Sequence, residues 1–390
     1  MTELNNMLFA LLRSVLCGEE LNRSEFSYID DAMLEKLYAL SNKHDMAHIV
    51  GVALEKNGFL NDGEISARFS KQQYTAVFRY ENIKYEQDRI CQVLDEVGIA
   101  YIPLKGMLIR ELYPEPWMRT SCDIDVLVRE RDVDRASEAL VKVLDYVKDP
   151  RKSVHDVLLL SPSGVHLELH YGINENIPEI DCVLDRVWDY ASPLDENRSE
   201  CRLTKEFFIF HFIAHASYHF VHGGCGLRTL FDLYLLLNEK GYDYDKTVSL
   251  CREGNLDKFF SALSELAQVW FGGREHSQMT LRTEKYILSG GTYGTKESEI
   301  AALQEVRGGK LGYVFSRVFV SYKHLKFKYP SLKSKALVPI YQVRRWIDAV
   351  KDKKTSVYVR EFNTNNNLNK NKIDEVGSLM HDLNLNRMIK

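Results

Sequence analysis

Hydrophobic residues recur at helical spacing through the first hundred positions of the chain. Leucine, methionine and other aliphatic residues repeat every three or four positions at 7–16, 33–40 and 49–54. This period places the apolar side chains on one face of an α-helix. The stretch 68–96 contains neither glycine nor proline, and Gly98 follows it, as expected of one long helix and its end. The pattern predicts an N-terminal helical segment over residues 1–97.

Strand-like patterns replace the helical period after residue 98. Apolar runs with β-branched or aromatic residues predict strands at 99–102, 122–128, 157–160 and 165–170. The last two are separated by Ser-Pro-Ser-Gly, which predicts a hairpin, and a helix is predicted over 135–144. Helical character returns from Lys205. We therefore predict an α+β fold whose domains are an N-terminal helical segment, a mixed core over 98–200, a helical domain over 201–360, and a flexible Asn-rich tail over 361–390 that could end in a helix.

Composition narrows the class of protein. The chain has 390 residues, of which 45% are hydrophobic and 27% charged, as in globular proteins with a core; these values exclude a disordered or collagen-like chain. A net charge of −4 argues against a bulk polyanion binder. No apolar run approaches the roughly 20 residues that span a bilayer. The start lacks a signal-peptide pattern and the seven cysteines form no CxxC pair, so we expect a cytoplasmic protein with reduced thiols.

Two aspartates stand inside an apolar strand. Asp123 and Asp125 flank Ile124, and alternate residues of a strand point to the same face. Two carboxylates side by side repel each other, and a cation between them removes that conflict. Paired carboxylates commonly hold Mg²⁺, which also binds substrate phosphates. The alternative interpretation is a strand end that carries two solvated acids.

Three neighbouring features favour the metal interpretation. Lys105-Gly106 follows a strand and opens a helix, an arrangement that allows close approach of a phosphate. Arg119 supplies a second cation for a phosphate. His166, Glu168 and His170 alternate along one strand and share a face, so Glu168 could complete a three-carboxylate metal site. The alternative for this strand is the solvated face of an edge strand.

The chain resembles a known family at these motifs. It is similar to the uncharacterised nucleotidyltransferase family of bacterial proteins, within the DNA polymerase beta-like nucleotidyltransferase superfamily. The similarity runs from about Gly98 to Tyr171, and more loosely through a helical part. Its motifs are Leu104-Lys105-Gly106, Tyr113-Pro114, Arg119, Asp123 to Val128, Leu167 to His170 and, more loosely, His215, His219, Arg228 and Asp232. The resemblance implies a polymerase beta-like mixed sheet flanked by N-terminal and C-terminal helical regions.

The resemblance also implies roles for individual residues. Gly106 would be the glycine that opens the helix holding the triphosphate, and Asp123 and Asp125 would bind catalytic Mg²⁺ (or Mn²⁺). Glu168 would be the third acid, which helps to activate the acceptor hydroxyl. Met107 departs from the superfamily pattern, where glycine or serine follows the glycine. The Lys-Gly form resembles abortive-infection nucleotidyltransferase toxins instead.

A histidine stripe is a further candidate for binding. Four histidines fall at helical spacing on one face, at 211, 215, 219 and 222. They could bind a metal or phosphate, or face the acceptor; the alternative is that they line a packing seam. The predicted substrate contacts are two of these histidines, His215 and His219, and also His170 of the strand. Arg228 and Asp232 are predicted to pair across one helical turn.

Positive charge is concentrated near the C-terminus. Residues 305–354 contain thirteen basic and three acidic residues, a balance of +10, so the remainder of the chain carries −14. Aromatic residues interleave with this charge. Such a stretch could contact RNA, a nucleotide sugar or an anionic membrane surface. The alternative is a set of amphipathic helices with a basic, solvated face.

Taken together, the sequence predicts a Mg²⁺-dependent transferase that binds an NTP such as ATP. It would move a nucleoside monophosphate to an acceptor that the sequence does not identify, whether a small molecule, a protein or RNA. Two alternatives stay open. One is a non-catalytic nucleotide-binding module that regulates a partner, and the other is a toxin-like enzyme acting on tRNA.

Overall fold

The computed structural model describes residues 3–22, 26, 29–150, 153, 155–195, 198–292, 294–352 and 355–389. The chain divides into two compact units, one of Met1–Tyr218 with Cys225–Thr292 and one of His219–Gly224 with Tyr293–Lys390. The fold is α+β, with a mixed sheet among many helices. The predicted domain boundaries at 97, 200 and 360 stay predictions.

Most helices precede residue 292. They are α1 (Glu3–Leu16), α2 (Asp31–Lys43), α3 (Ala47–Lys56), α4 (Glu64–Glu96), α5 (Gly106–Ile109), α6 (Val133–Leu144), α7 (Pro178–Leu184), α8 (Lys205–Val221), α9 (Leu227–Asn238), α10 (Tyr244–Glu253), α11 (Asp257–Phe271) and α12 (Gln278–Gly290). The predicted N-terminal helices, including the long one before Gly98, are confirmed, as is the helix predicted over 135–144.

Seven strands are described. They are β1 (Tyr101–Pro103), β2 (Asp123–Val128), β3 (Val147–Lys148), β4 (Asp156–Leu160), β5 (His166–His170), β6 (Ala191–Pro193) and β7 (Cys201–Leu203). The first five form one mixed sheet in the order β1-β2-β5-β4-β3, in which only β2 and β5 run parallel. The predicted strands and the β4–β5 hairpin are confirmed. β6 and β7 form a separate antiparallel pair.

One face of the main sheet is apolar and packs on two helices. Ile124 and Val126 of β2 and Leu167 and Leu169 of β5 are inaccessible to solvent and pack with residues of α4 and α6. Burial of each such side chain stabilises the fold by roughly 1.5–3 kcal/mol. Alternation along the strands then forces the acidic residues of β2 and β5 onto the opposite face. The hydrophobic core therefore fixes where the polar residues of the sheet lie.

The second unit contains the remaining helices. They are α13 (Lys296–Arg307), α14 (Gly309–Val318), α15 (Tyr322–Lys328), α16 (Val338–Lys351), α17 (Thr355–Asn367) and α18 (Lys370–Asp382). The Asn-rich stretch is helical, whereas the sequence predicted a flexible tail. The physical reason is tertiary packing: Asn365 is buried, and Gln304 Nε2 of α13 donates to its Oδ1 (2.8 Å) and main-chain oxygen (3.0 Å).

A buried ion pair ties the segment before β2 to α9. The Arg119 guanidinium donates to both carboxylate oxygens of Asp232 at 2.8–3.1 Å, and the Tyr113 hydroxyl donates to the same carboxylate at 2.8 Å. The sequence predicted a pair of Asp232 with Arg228, and this prediction is wrong because Asp232 pairs with Arg119. Arg228 instead donates to the Thr120 carbonyl at 2.6 Å and lies 3.6 Å from Asp45. Within the described residues, no helix has the length and apolarity that a membrane crossing needs.

The Arg119–Asp232 pair gives the first stability prediction. Asp232→Ala would leave the Arg119 guanidinium buried without its carboxylate, which costs about 3–5 kcal/mol when a buried pair is broken. We expect that loss of unfolding free energy in urea denaturation. Glu138→Ala removes an exposed acid of α6 and serves as the control, with a change expected within about 0.5 kcal/mol. A similar small change in Asp232→Ala would contradict the structural role.

Buried His44 gives a prediction of pH dependence. Burial, and then the positive charge of Lys43, lower the pKa of His44 to about 4. The unfolded chain, with a histidine pKa of about 6.5, therefore binds the proton first as the pH falls. The stabilisation is complete above about pH 6.5 and is lost as the pH falls towards 4.

The measurement compares wild type with His44→Gln. Between about pH 7.5 and about pH 5, we expect wild type to lose about 2 kcal/mol more unfolding free energy than the variant. Urea denaturation at both pH values measures this difference. His381→Gln changes a largely exposed histidine and should keep the wild-type pH dependence. Equal pH dependence in His44→Gln and wild type would show that His44 is not held neutral.

Candidate active site

The pairing of β2 with β5 brings acidic residues together. The two strands run parallel, with Asp125 in register with Glu168 and Asp123 in register with His166. Registered neighbours in a sheet project to the same face. Whether Glu168 lies near the aspartates depended on strand order, and the order places β5 directly beside β2.

Three side chains form the compact centre of this face. Donor atoms of Asp125, Glu168 and His170 all lie within 4.8 Å of one another. His170 Nε2 lies 2.9 Å from Asp125 Oδ1 and 3.4 Å from Glu168 Oε2. Asp123 is on the same face, two residues before Asp125, but does not belong to this group. The sequence predicted a trio of Asp123, Asp125 and Glu168; the structure adds His170 to the last two.

Lys105, in the turn after β1, contacts the carboxylate of Asp125. Its Nζ lies 3.3 Å from Asp125 Oδ1, the oxygen that His170 also contacts. The Lys105 backbone has φ 42° and ψ −110°, a conformation that residues other than glycine rarely adopt. Burial lowers the pKa of the Lys105 amine, but the charges of Asp125 and Glu168 outweigh burial and raise it. Lys105 is therefore a cation held inside an acidic site.

The two aspartates differ in their electrostatic environment. Burial, and then repulsion from Asp125 and Glu168, raise the pKa of Asp123. Burial also opposes ionisation of Asp125, but Lys105 and the hydrogen bond from His170 together lower its pKa below the usual range. Asp125 is thus the buried, ionised centre of the site. Asp123 and Glu168 are more accessible and stand beside it.

His170 connects this centre to a second group. Burial lowers its pKa, but hydrogen bonds to Asp125 and Glu168 dominate and raise it to about 9. Its ring stacks on that of His155 at 6.1 Å, and His155, Asp156 and His170 form a second group with donor atoms within 4.8 Å. His155 Nε2 lies 3.2 Å from Asp156 Oδ2. Protonated His170 therefore balances part of the negative charge on this face.

Gly106 provides space for Arg119. A Cβ atom on Gly106 would lie 2.8 Å from Arg119 Nη1. Arg119, predicted as a phosphate contact, is 7% exposed and bonded to Asp232. Arg110 adds a buried guanidinium that donates to the Gly106 carbonyl (2.7 Å) and to Ser121 Oγ (2.9 Å). The guanidinium groups of Arg110 and Arg119 thus both pack against the turn at Gly106.

The predicted histidine stripe lies on α8 with unequal burial. His211 is buried, and burial lowers its pKa well below the ordinary value. His215 Nδ1 lies 3.1 Å from Glu175 Oε1, and burial, then the charge of Lys105, lower the His215 pKa to about 3. His219 is half-buried in the last turn of α8 and falls in the second compact unit, and His222 is exposed.

Sequence reasoning missed three residues of this region. Asp156 is in register with His170 across the β4–β5 hairpin, and His155 immediately precedes it. Counting back from the predicted turn could have found both. Glu175 follows β5 in a loop, and no sequence signal connected it to His215 on α8.

The donor set fits a divalent cation. Carboxylate oxygens are the ligands that Mg²⁺ and Mn²⁺ prefer, and imidazole suits several transition metals. Asp125 and Glu168 supply the oxygens from two adjacent strands, with Asp123 on the same face. The carboxylates are already compensated by Lys105 and His170, so a cation would compete with these two groups for Asp125 Oδ1.

Comparison with known proteins identifies the family. Residues 30–272, more than half of the chain, match the uncharacterised nucleotidyltransferase family. No curated protein matches the chain, and no solved structure does. The matched region contains the N-terminal helices from α2 onwards, the whole sheet and α8–α11. Nucleotidyltransferases generally use divalent metals and take an NTP as substrate, which agrees with the acidic face described above. The chain therefore belongs to the uncharacterised nucleotidyltransferase family.

Proposed function

We propose that the protein transfers a nucleoside monophosphate from an NTP to an acceptor hydroxyl at the acidic face of β2 and β5, with pyrophosphate as the leaving group. The register of Asp125 with Glu168 on parallel neighbouring strands carries this proposal. It places carboxylates from two elements on one surface, with Lys105 beside them. We also propose that the sheet is of the polymerase beta-like type, because its two acidic strands are adjacent and its glycine turn precedes both of them in the chain.

Asp123, Asp125 and Glu168 would hold Mg²⁺ (or Mn²⁺) in this function. The bound cation would supply neutralisation of the phosphate charge and a lowered pKa for the acceptor hydroxyl. Asp125 suits the central ligand because it is ionised and buried, and its strand is fixed by the core. Asp123 and Glu168 are more open and can adjust.

Lys105 is proposed as the phosphate contact. Its ammonium lies at the acidic centre, and the turn that carries it continues into Gly106 and α5. A positive charge at this place stabilises the negative charge of a triphosphate. Gly106 is proposed to line the same site. Arg119 is bonded to Asp232, so we assign it to holding the turn rather than to direct nucleotide binding.

The acceptor side is proposed to include His170 and His215; His219, the other predicted contact, belongs to the second compact unit. His215 has a pKa near 3 and is therefore neutral at physiological pH, so its imidazole is suited to accept a hydrogen bond from the acceptor rather than to carry a charge. Glu175 contacts its Nδ1 and orients the ring. The acceptor hydroxyl would thus lie between the carboxylates of the sheet and His215 of α8.

Nucleotide transfer gives the central test. We expect Asp125→Asn and Glu168→Gln to lose at least about 100-fold of the transfer rate, because each removes a charge from the cation site. The assay incubates α-labelled NTPs and Mg²⁺ with a fractionated cell extract and reads label in protein, RNA and small molecules. Asp134→Asn and Glu138→Gln make the same chemical changes at exposed positions of α6 and should keep wild-type labelling.

Two outcomes would contradict the proposal. Full labelling by folded Asp125→Asn and Glu168→Gln would show that these acids do not act in transfer. No labelling by wild type, together with Mg²⁺-dependent NTP binding that both variants weaken, would favour the non-catalytic nucleotide-binding module.

Cation binding can be measured without an acceptor. At a Mg²⁺ concentration about 100-fold above the dissociation constant, a single site stabilises the folded state by about 2.7 kcal/mol. We therefore expect Mg²⁺ to raise the unfolding temperature of wild type in calorimetry, relative to Na⁺ at the same ionic strength. Glu168→Gln should respond less, and Glu138→Gln should respond like wild type. Equal stabilisation of all three proteins would place the cation elsewhere.

A further inference from the structure

Helix α16 in the second unit exposes its apolar face. Its least accessible side chains are polar, namely Gln342 (4% exposed) and Arg345 (7%). The aliphatic residues are on the other side: Ile340 (63% exposed), Val343 (48%), Ile347 (50%) and Val350 (64%). Surface helices of water-soluble domains have the opposite arrangement. In α16, the aliphatic side chains therefore face the solvent, and two polar side chains face the protein.

Hydrogen bonds fix this orientation of α16. Arg345 Nη2 donates to the carbonyls of Arg317 (2.9 Å) and Val318 (2.7 Å) at the end of α14. Gln342 Nε2 donates to the Val320 carbonyl at 2.6 Å. These bonds satisfy main-chain groups that a helix end leaves without partners. Rotating α16 to bury its aliphatic residues would break all of them.

Helix α14 and the residue after it extend the exposed apolar surface. Leu311, Phe315 and Phe319 follow each other at intervals of four residues and are 85%, 66% and 47% exposed. Phe319 packs edge-to-face on Trp346 of α16 at 5.7 Å, so the two sets are continuous. We call these residues, with those of α16, the apolar face. Monomeric proteins rarely expose a large contiguous patch of this kind unless it binds something.

Exposed basic residues lie on α14, on α16 and on the segment between them, which includes α15. They are Lys310, Lys323, Lys326, Lys328, Lys333, Lys335, Arg344 and Lys351. Residues 305–354 carry a balance of +10 in a chain whose net charge is −4. Apolar side chains next to a concentrated positive charge are typical of helices that lie in the headgroup region of an anionic membrane.

The positive charge and the apolar side chains together indicate what binds to the apolar face. RNA would satisfy the basic residues but offers no apolar surface for isoleucine, valine and leucine. A second copy of the chain would cover the apolar residues but would bring one strongly positive surface against another. A bilayer with anionic lipids offers negative charge to the basic residues and an apolar interior to the aliphatic side chains. We propose that the apolar face of α14 and α16 docks on an anionic membrane surface and holds the transferase there.

Vesicle sedimentation tests this proposal with the full chain. We expect the protein to sediment with vesicles of phosphatidylcholine and phosphatidylglycerol, and not with phosphatidylcholine alone. Added salt should weaken the binding. Ile347→Ser with Val350→Ser should weaken it at least about tenfold, because two aliphatic side chains no longer leave water. Lys323→Gln with Lys326→Gln should weaken binding to anionic vesicles as well.

The matched control removes exposed apolar residues elsewhere. Tyr74 and Phe78 of α4 are 75% and 72% exposed, and Tyr74→Ser with Phe78→Ser should leave vesicle binding unchanged. Circular dichroism and thermal unfolding check that each variant is folded. The test does not depend on catalysis, so its result is independent of the proposed transfer reaction.

Three results would overturn the proposal. The first is equal binding of wild type and Ile347→Ser/Val350→Ser to anionic vesicles. The second is salt-sensitive binding to RNA with none to vesicles, which would assign the basic residues to RNA. The third is a dimer in sedimentation equilibrium that the Ile347→Ser/Val350→Ser variant dissociates, which would make a second copy the occupant.

Discussion

The parallel pairing of β2 with β5 is the constraint on which the site depends. It places Asp125 beside Glu168 and, two residues earlier, Asp123 beside His166. The apolar residues between them pack on α4 and α6, so the strands cannot shift by one position without moving the acids into the core. The energy that fixes the site therefore comes from hydrophobic burial on the other face of the sheet.

Gathering carboxylates at one place requires positive charge nearby. Lys105 and His170 supply it, and both contact the same oxygen of Asp125. Burial of an unpaired carboxylate would be costly, whereas a paired one stays ionised. The protein thus keeps an ionised, preorganised acid in a buried position. In the proposed function, a bound cation would replace Lys105 and His170 as the positive partner of Asp125.

Local patterns predicted the elements of this site, but not all of its contacts. Alternation predicted that Asp123 and Asp125 share a face and that His166, Glu168 and His170 do, and the sheet agrees. The hairpin turn predicted β4 and β5, and in the structure the register of this hairpin pairs Asp156 with His170. Asp232 pairs with Arg119, which is over a hundred residues away in the chain, whereas the i, i+4 spacing suggested that Asp232 pairs with Arg228. The Asn-rich stretch is helical because Asn365 bonds to Gln304. Both differences arise from tertiary contacts, which local spacing and composition do not contain.

The backbone at Lys105 links the fold to the proposed chemistry. A residue other than glycine at φ 42° costs about 1–3 kcal/mol, and such conformations concentrate at functional sites. The neighbouring structure holds this one in place: Leu104 donates to the Asp125 carbonyl, and Arg110 donates to the Gly106 carbonyl. Gly106 itself is explained by the space that Arg119 needs, without reference to a ligand. Glycine adopts such a conformation without steric cost. Lys105 keeps its contact with Asp125 despite this backbone strain, which supports the proposed role of its ammonium as a cation in the site.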